Sequence, residues 1–273
     1  VDYVLKIFRG IESYSSNRGA CITTGTFDGV HLGHRVILNH LGALAKEADL
    51  ESVIITFDPH PRRVLFPDQE GLLLINTLDE KLELLEKAGI DNVIVQPFTN
   101  EFSRTSALVY VRDLLVNQVG MKKLVIGYDH QFGKNREGSI EQLRELAPML
   151  NFEVVEIPAQ MIDDVNISST KIRYALSDGD IVSANASLGY NFFINGDVVK
   201  GNNRGRSLGF PTANIELGHA EKILPKQGVY AVKVETKAAS FSGMLNIGVN
   251  PTFGDSNKLS IEVNLFDFDE DLY

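Results

Sequence analysis

Short, bounded apolar runs alternate with segments of helical period along roughly the first 160 residues of the chain. SVIITF (52–57), NVIVQPF (92–98), KLVIG (123–127) and FEVVEIP (152–158) are rich in Val and Ile, as strands buried on both faces are. Between them, LGHRVILNHLGALAKEA (32–48), TLDEKLELLEKAG (77–89), TSALVYVRDLLVNQV (105–119) and SIEQLRELAPML (139–150) predict helices. In the second helix Leu78, Leu82 and Leu85 recur on one face, while Asp79 and Glu80 complement the positive end of the helix. Strand alternating with helix predicts a doubly wound α/β domain with a parallel sheet over residues 1–186, ending near a last helical stretch, SDGDIVSANASLG. Beyond it the helical period vanishes. NFFINGDVV (191–199), GVYAVKVET (228–236), FSGMLNIGV (241–249) and LSIEVNLFDF (259–268) are short strands punctuated by Gly and Asn, predicting an antiparallel barrel or sandwich over 187–273.

Composition fits this two-domain division. A chain of 273 residues with 44% hydrophobic and 23% charged residues can build two ordinary cores. No run reaches the roughly 18 apolar residues of a membrane span. VDYVLKIFRG has neither a basic start nor an apolar block, so no secretory signal is expected and the cytoplasm is the expected compartment. The single cysteine, Cys21, excludes an internal disulfide and a cysteine-rich metal site. A net charge of −10 weighs against a broad nucleic-acid surface, and residues 186–273 carry 8 Lys and Arg against 10 Asp and Glu, with no basic stripe. Small-molecule partners remain, because a few local donors and a divalent cation hold a triphosphate even in an acidic protein.

Three segments carry candidate chemistry. GTFDGVHLGHR (25–35) reads as a strand-to-helix turn: Gly25 and Gly29 let the backbone approach a ligand, and His31 and His34 share a face where helix N–H groups point at an anion. A plain turn with two solvated histidines explains the same residues. NISSTKIR (166–173) gathers Ser169, Thr170, Lys171 and Arg173, with Thr170 and Arg173 three apart on a helix start, which suits phosphate; a Ser168 or Ser169 N-cap followed by solvated cations also accounts for it. In VVKGNNRGRSLGFPTANIEL (198–217), Gly201, Gly205 and Gly209 with Arg204 and Arg206 form a cationic loop, either a phosphate cradle or a surface hairpin. Thr212 and Asn214 point the same way in extended chain, offering oxygen ligands to Mg²⁺ or simply forming an Asn turn.

Taken together, His-x-Gly-His and Ile-Ser-Ser-Thr-Lys-Ile-Arg resemble the paired signatures of the nucleotidyltransferase superfamily. With TFDPHP (56–61) and GYDHQFGKNREG (127–138), residues 19–176 resemble the N-terminal module of prokaryotic bifunctional FAD synthetases. The resemblance implies transfer of AMP from ATP to FMN with release of pyrophosphate. It places Gly25, Phe27, Asp28, Gly29, His31, His34, Asp129, Lys171 and Arg173 at ATP, with Ser169 and Thr170 joining the histidines at the phosphates, Asp129 near Mg²⁺ or the nucleotide, and Pro59, His60 and Phe132 beside the flavin.

GFPTAN, GVYAVKV (228–234), NIGVNPTFG (246–254) and IEVNLFDFDEDLY (261–273) follow in the order of a riboflavin kinase, which implies a six-stranded antiparallel barrel of Greek-key character. There Thr212 and Asn214 would hold Mg²⁺, and Gly201, Gly205 and Arg206 would cover the ATP phosphates. Glu262 would be the general base that draws the proton from the riboflavin 5′-hydroxyl. The chain stops at DLY, before the closing helix such modules carry, so the kinase half is expected to be incomplete. Three alternatives compete: a single-activity FMN adenylyltransferase with a non-catalytic barrel, nucleotidyl transfer to another acceptor, and a nucleic-acid-binding barrel.

Overall fold

The computed structural model describes residues 4–67, 71–127, 131–134, 137–158, 161, 167–200, 211–237, 239–249 and 259–268. Contacts divide the chain into two compact units, Val1–Lys171 with Ser187–Gly189, and Ile172–Ala186 with Tyr190–Tyr273. In chain order the first part of the molecule runs β1 (Lys6–Arg9), β2 (Ala20–Thr24), α1 (Leu32–Glu47), β3 (Glu51–Asp58), α2 (Pro61–Leu65), α3 (Leu78–Lys87), β4 (Asn92–Pro97), α4 (Ala107–Val109), a π-helix (Tyr110–Gln118), β5 (Met121–Gly127), α5 (Ile140–Leu150), β6 (Glu153–Ile157), α6 (Ser169–Asp178) and α7 (Ile181–Leu188).

The six strands form one sheet in the order β1-β4-β3-β2-β5-β6, every pairing parallel. All five residues of β2 are buried, as are Ser52–Thr56 of β3, which is why these segments read as continuous apolar runs. From β2 the chain moves out through β3 to β4 and then returns to β5 on the other side of β2. The order therefore reverses at β2, and the crevice beyond its carboxyl end is where a sheet of this kind accepts a ligand. Burial pushes the Cys21 thiol on β2 up to about 12, so it is a packed, unreactive group.

Helix ends are set by local chemistry. Thr77 Oγ1 accepts from the Glu80 N–H at 3.2 Å while Glu80 Oε2 accepts from the Thr77 N–H at 2.9 Å, a capping box that starts α3. The helix predicted over 105–119 is one α turn followed by the π-helix, which keeps Ala107, Tyr110, Val111 and Leu115 on the buried side.

In the second unit, β7 (Asp197–Val199), β8 (Ala213–Glu216), β9 (Gly228–Glu235), β10 (Ser240–Val249) and β11 (Leu259–Leu265) form an antiparallel sheet ordered β7-β8-β11-β10-β9. Leu245 and Ile247 of β10 alternate with exposed neighbours and meet Ile261, Val263 and Leu265 of β11 in one core. Two expectations change here. Among the described residues the sheet has five strands and is open, with β7 and β9 as its edges, where a six-stranded closed barrel was predicted. The strand predicted over 191–199 is confined to Asp197–Val199. The Phe192 N–H donates to Asn185 Oδ1 at 2.7 Å instead of entering a ladder, and the buried Lys222 ammonium lies 4.5 Å from the centre of the Phe192 ring.

Thr77→Ala removes the hydroxyl that caps α3 and is expected to lower unfolding free energy by about 0.5–2 kcal/mol, read from urea denaturation.

Candidate active site

β2 delivers the chain into a turn of unusual backbone. Phe27, Gly29 and Val30 have φ of 48°, 89° and 36°, and for a β-branched residue such as Val30 this left-handed region is a strained conformation. The turn is held from beneath. The buried Asp28 carboxylate accepts from the Ile75 N–H at 3.0 and 3.2 Å and from the Asn76 N–H at 3.2 Å. Gly29 needs its lack of a side chain twice over, since a Cβ there would sit 3.0 Å from Ile75 Cδ1. Gly25 starts the turn, its N–H donating to the Ile55 carbonyl at 3.0 Å. Asp28 thus turns its side chain into the protein, toward Ile75 and Asn76.

His31 is the N-cap of α1. Its Nδ1 accepts from the His34 N–H at 3.3 Å, which in the neutral ring leaves the hydrogen on Nε2 and makes that nitrogen a donor. The two imidazoles stack with centroids 3.6 Å apart and planes at 16°, and the Phe27 ring meets His34 edge-on at 5.2 Å. Burial, followed by electrostatic interaction with His31 and Lys81, holds His34 well below the usual histidine pKa, so it is neutral at pH 7. His34 Nδ1 is enclosed and has no hydrogen-bond partner among the described residues.

The second motif meets this turn directly. Ser169 Oγ donates to the Asp28 carbonyl at 2.9 Å across 141 residues of sequence. Ser168, the residue before, accepts from the Lys171 N–H at 3.3 Å and so caps α6. A Cβ on Gly33 would lie 3.9 Å from the Ile167 carbonyl, so the start of α1 and the approach to α6 run close together. Thr170 and Lys171 are exposed on the first turn of α6, and Arg173, one turn on, is half-buried.

One group here was absent from the sequence reading. Lys81 on α3 is buried; its Nζ donates to Thr56 Oγ1 at 3.0 Å and to the Thr26 carbonyl at 3.3 Å. Thr56 Oγ1 donates to that same carbonyl at 3.2 Å. Burial lowers the Lys81 pKa to about 8, with Asp28 and Asp58 opposing the fall. The available signal was phase: Leu78, Lys81, Leu82 and Leu85 lie on one helical stripe, which places a lysine where the pattern calls for an apolar residue.

The remaining predicted positions are spread around the crevice strands. Pro59 follows β3 through a cis peptide, and His60 caps α2, its Nδ1 accepting from the Arg62 N–H at 3.1 Å. Phe132 is buried against Tyr110 in the core, with ring centroids 6.1 Å apart. Asp129, Gly201, Gly205 and Arg206 lie outside the described residues.

In the second unit, Asn214 on β8 is the register partner of Glu262 on β11, and Thr212 Oγ1 donates to Glu262 Oε2 at 3.2 Å. Asn264 Nδ2, two residues along β11, donates to the Pro211 carbonyl at 2.7 Å and fixes this end of the pair. A hydroxyl, an amide and a carboxylate are therefore gathered on two adjoining strands, an all-oxygen donor set suited to a hard cation.

Known proteins carry the same two-part arrangement. The sequence model of FAD synthetase matches residues 13–171, and that of riboflavin kinase matches residues 188–273. The chain belongs to the FAD synthetase family. Relatives of this family member named bifunctional riboflavin kinase/FMN adenylyltransferase include one from Listeria monocytogenes, 39% identical over 91% of this chain and 78% of its own length. Another, from Escherichia coli, is 36% identical over 98% of this chain and 86% of its own. A crystal structure described as a macrolide-efflux protein from Streptococcus pneumoniae superposes with a TM-score of 0.86 at 29% identity, covering 98% of this chain and 86% of that one. No helix among the described residues of this family member is long and apolar enough to cross a membrane.

Two outcomes follow from the geometry of the turn. Asp28→Ala removes the carboxylate that accepts from two buried N–H groups beneath a strained backbone and is expected to cost about 1–3 kcal/mol in urea unfolding. His34 favours its neutral form in the folded state, whereas the unfolded chain takes up a proton near pH 6.5. The unfolded state thus binds more protons below that pH, so stability is expected to fall as pH drops from 6.5, by up to about 1.4 kcal/mol per unit from this group. His34→Gln should flatten that slope in denaturation curves taken between pH 5 and 7.

Proposed function

We propose that this chain converts riboflavin to FMN in its C-terminal part and FMN to FAD in its N-terminal part, using ATP for both. The reading rests above all on the Ser169–Asp28 contact, which joins two phosphate-type motifs at the carboxyl end of β2. The similarity to relatives that bear both activities in their names supports it over the whole length. The adenylyltransferase domain is assigned to 1–186 and the kinase domain to 187–273.

In the first domain the phosphate of FMN attacks the α-phosphorus of ATP in line, and pyrophosphate leaves. No covalent enzyme intermediate is needed, so the protein contributes position and charge. His31 donates from Nε2 and the neutral His34 lies beside it. Ser169, Thr170, Lys171 and Arg173 add hydroxyls and cations from the start of α6. The backbone of Gly25, Phe27, Asp28 and Gly29 shapes the surface the triphosphate lies on, with Asp129 near the nucleotide. Pro59, His60 and Phe132 are assigned to the flavin side, Phe132 through the wall it helps to build.

In the second domain Glu262 takes the proton of the riboflavin 5′-hydroxyl as it attacks the γ-phosphorus, and ADP leaves. The Thr212 hydroxyl orients the carboxylate. Gly201, Gly205 and Arg206 are assigned to the ATP phosphates. Thr212 and Asn214 would hold Mg²⁺, which when bound neutralises phosphate charge. The setting is the cytoplasm, with small molecules rather than nucleic acid or membrane as partners.

The two reactions should separate by mutation. Chromatography of products from riboflavin, or from FMN, with ATP and Mg²⁺ is expected to give FAD from either. His31→Ala should cut FAD formation from FMN by about 10²–10³-fold and leave FMN formation from riboflavin near wild type. Glu262→Gln should do the reverse, lowering FMN formation by about 10²–10⁴-fold. FAD from FMN with nothing from riboflavin would restrict the chain to the adenylyl half, and no product from either would overturn the enzymatic assignment.

A further inference from the structure

Lys81 has no part in the chemistry assigned so far, yet it is a buried cation bonded directly to the glycine turn. Its Nζ, the Thr56 hydroxyl and the Thr26 carbonyl close a triangle with sides of 3.0, 3.3 and 3.2 Å. Thr26 lies inside the strained glycine turn, Thr56 is fully buried near the end of β3, and Lys81 reaches both from α3. One ammonium group therefore ties the turn to a central strand. The charges around it are consistent with a site rather than a plain core. Asp28 and Asp58 act on Lys81 from the turn and from the end of β3, and Lys81 in turn acts on His34 across the start of α1. A folding contact alone is more cheaply made by an apolar side chain, since burying an ammonium group carries a desolvation cost.

We propose that Lys81 is a positioning residue for adenylyl transfer: it fixes the Thr26 carbonyl, and with it the phosphate-facing turn, against β3 and sets a positive charge that acts on His34. The role rests on the adenylyl-transfer reading given above. It acts through geometry and field, with no proton passing to or from substrate. A His34 kept neutral in the field of this cation prevents the stacked pair from becoming doubly charged, so the two rings hold one arrangement as phosphate arrives.

The test uses the full chain and the near-isosteric Lys81→Met. FAD formation from FMN is expected to fall in kcat by about 10–100-fold, as displacement of a reacting group by an ångström does, with KM for ATP within about threefold. FMN formation from riboflavin serves as the internal control and should stay within twofold. Nuclear magnetic resonance of the histidine rings, with the His34 signal identified by its loss in His34→Gln, should show His34 titrating at higher pH once the cation is gone. Lys81→Arg, which keeps the charge, should hold that titration near its wild-type position. A Lys81→Met enzyme with wild-type kcat, or one that loses both activities in parallel, overturns the positioning role. If Lys81→Met does not fold, Thr56→Val decides: it removes one corner of the triangle and should lower kcat several-fold at constant KM, and an unchanged kcat overturns the role. A wild-type chain unable to form FAD from FMN would overturn the adenylyl assignment, and this role with it.

Discussion

Everything at the first site depends on one carboxylate answering two backbone N–H groups. Asp28 is drawn under its own turn by Ile75 and Asn76, and that pull holds Phe27, Gly29 and Val30 in left-handed backbone. For the non-glycine residues Phe27 and Val30 such backbone costs on the order of 1–3 kcal/mol each unless the surroundings enforce it. The enforcement has a chemical result. With the carboxylate directed into the protein, negative charge is removed from the face where a triphosphate would lie. The peptide dipoles and the two imidazoles remain there. The same anchoring fixes the Asp28 carbonyl as the acceptor for Ser169, so a single side chain organises both motifs.

The second site is organised differently. No strained turn is involved among the described residues; register does the positioning. Asn214 and Glu262 face each other because β8 and β11 pair at that point, and Thr212, just before β8, reaches the same carboxylate through its hydroxyl. The first site is thus built from loop backbone on a rigid sheet, the second from side chains standing on the sheet itself.

The sequence showed most of the first unit because strands buried on both faces and helices with one apolar stripe leave distinct periods. Its short edge strand β1, KIFR, escaped notice because three of its four residues are exposed and carry no such period. In the second unit, NFFINGDVV had the composition of a strand, but the Asn185 amide and the Lys222 ammonium engage Phe192 near its start, and neither contact leaves a signature in the local pattern. At the sites, contiguous residues were legible and long-range ones were not. His31 and His34 could be placed at a helix start by spacing alone. The inward turn of Asp28 could not, since its partners lie 47 and 48 residues away. Lys81 was visible only as a break in a leucine stripe, and its meaning required knowing that Thr26 and Thr56 stand above it.

The bond between Ser169 and Asp28 also orders events in time. A polypeptide is made from its N-terminus, and β2, the strand that carries the glycine turn, is central in the sheet and cannot be flanked on its far side until β5 has been synthesised. Ser169 emerges later still, behind β6. The nascent chain accordingly carries the glycine turn through the synthesis of the next 141 residues before Ser169 exists to close on the Asp28 carbonyl.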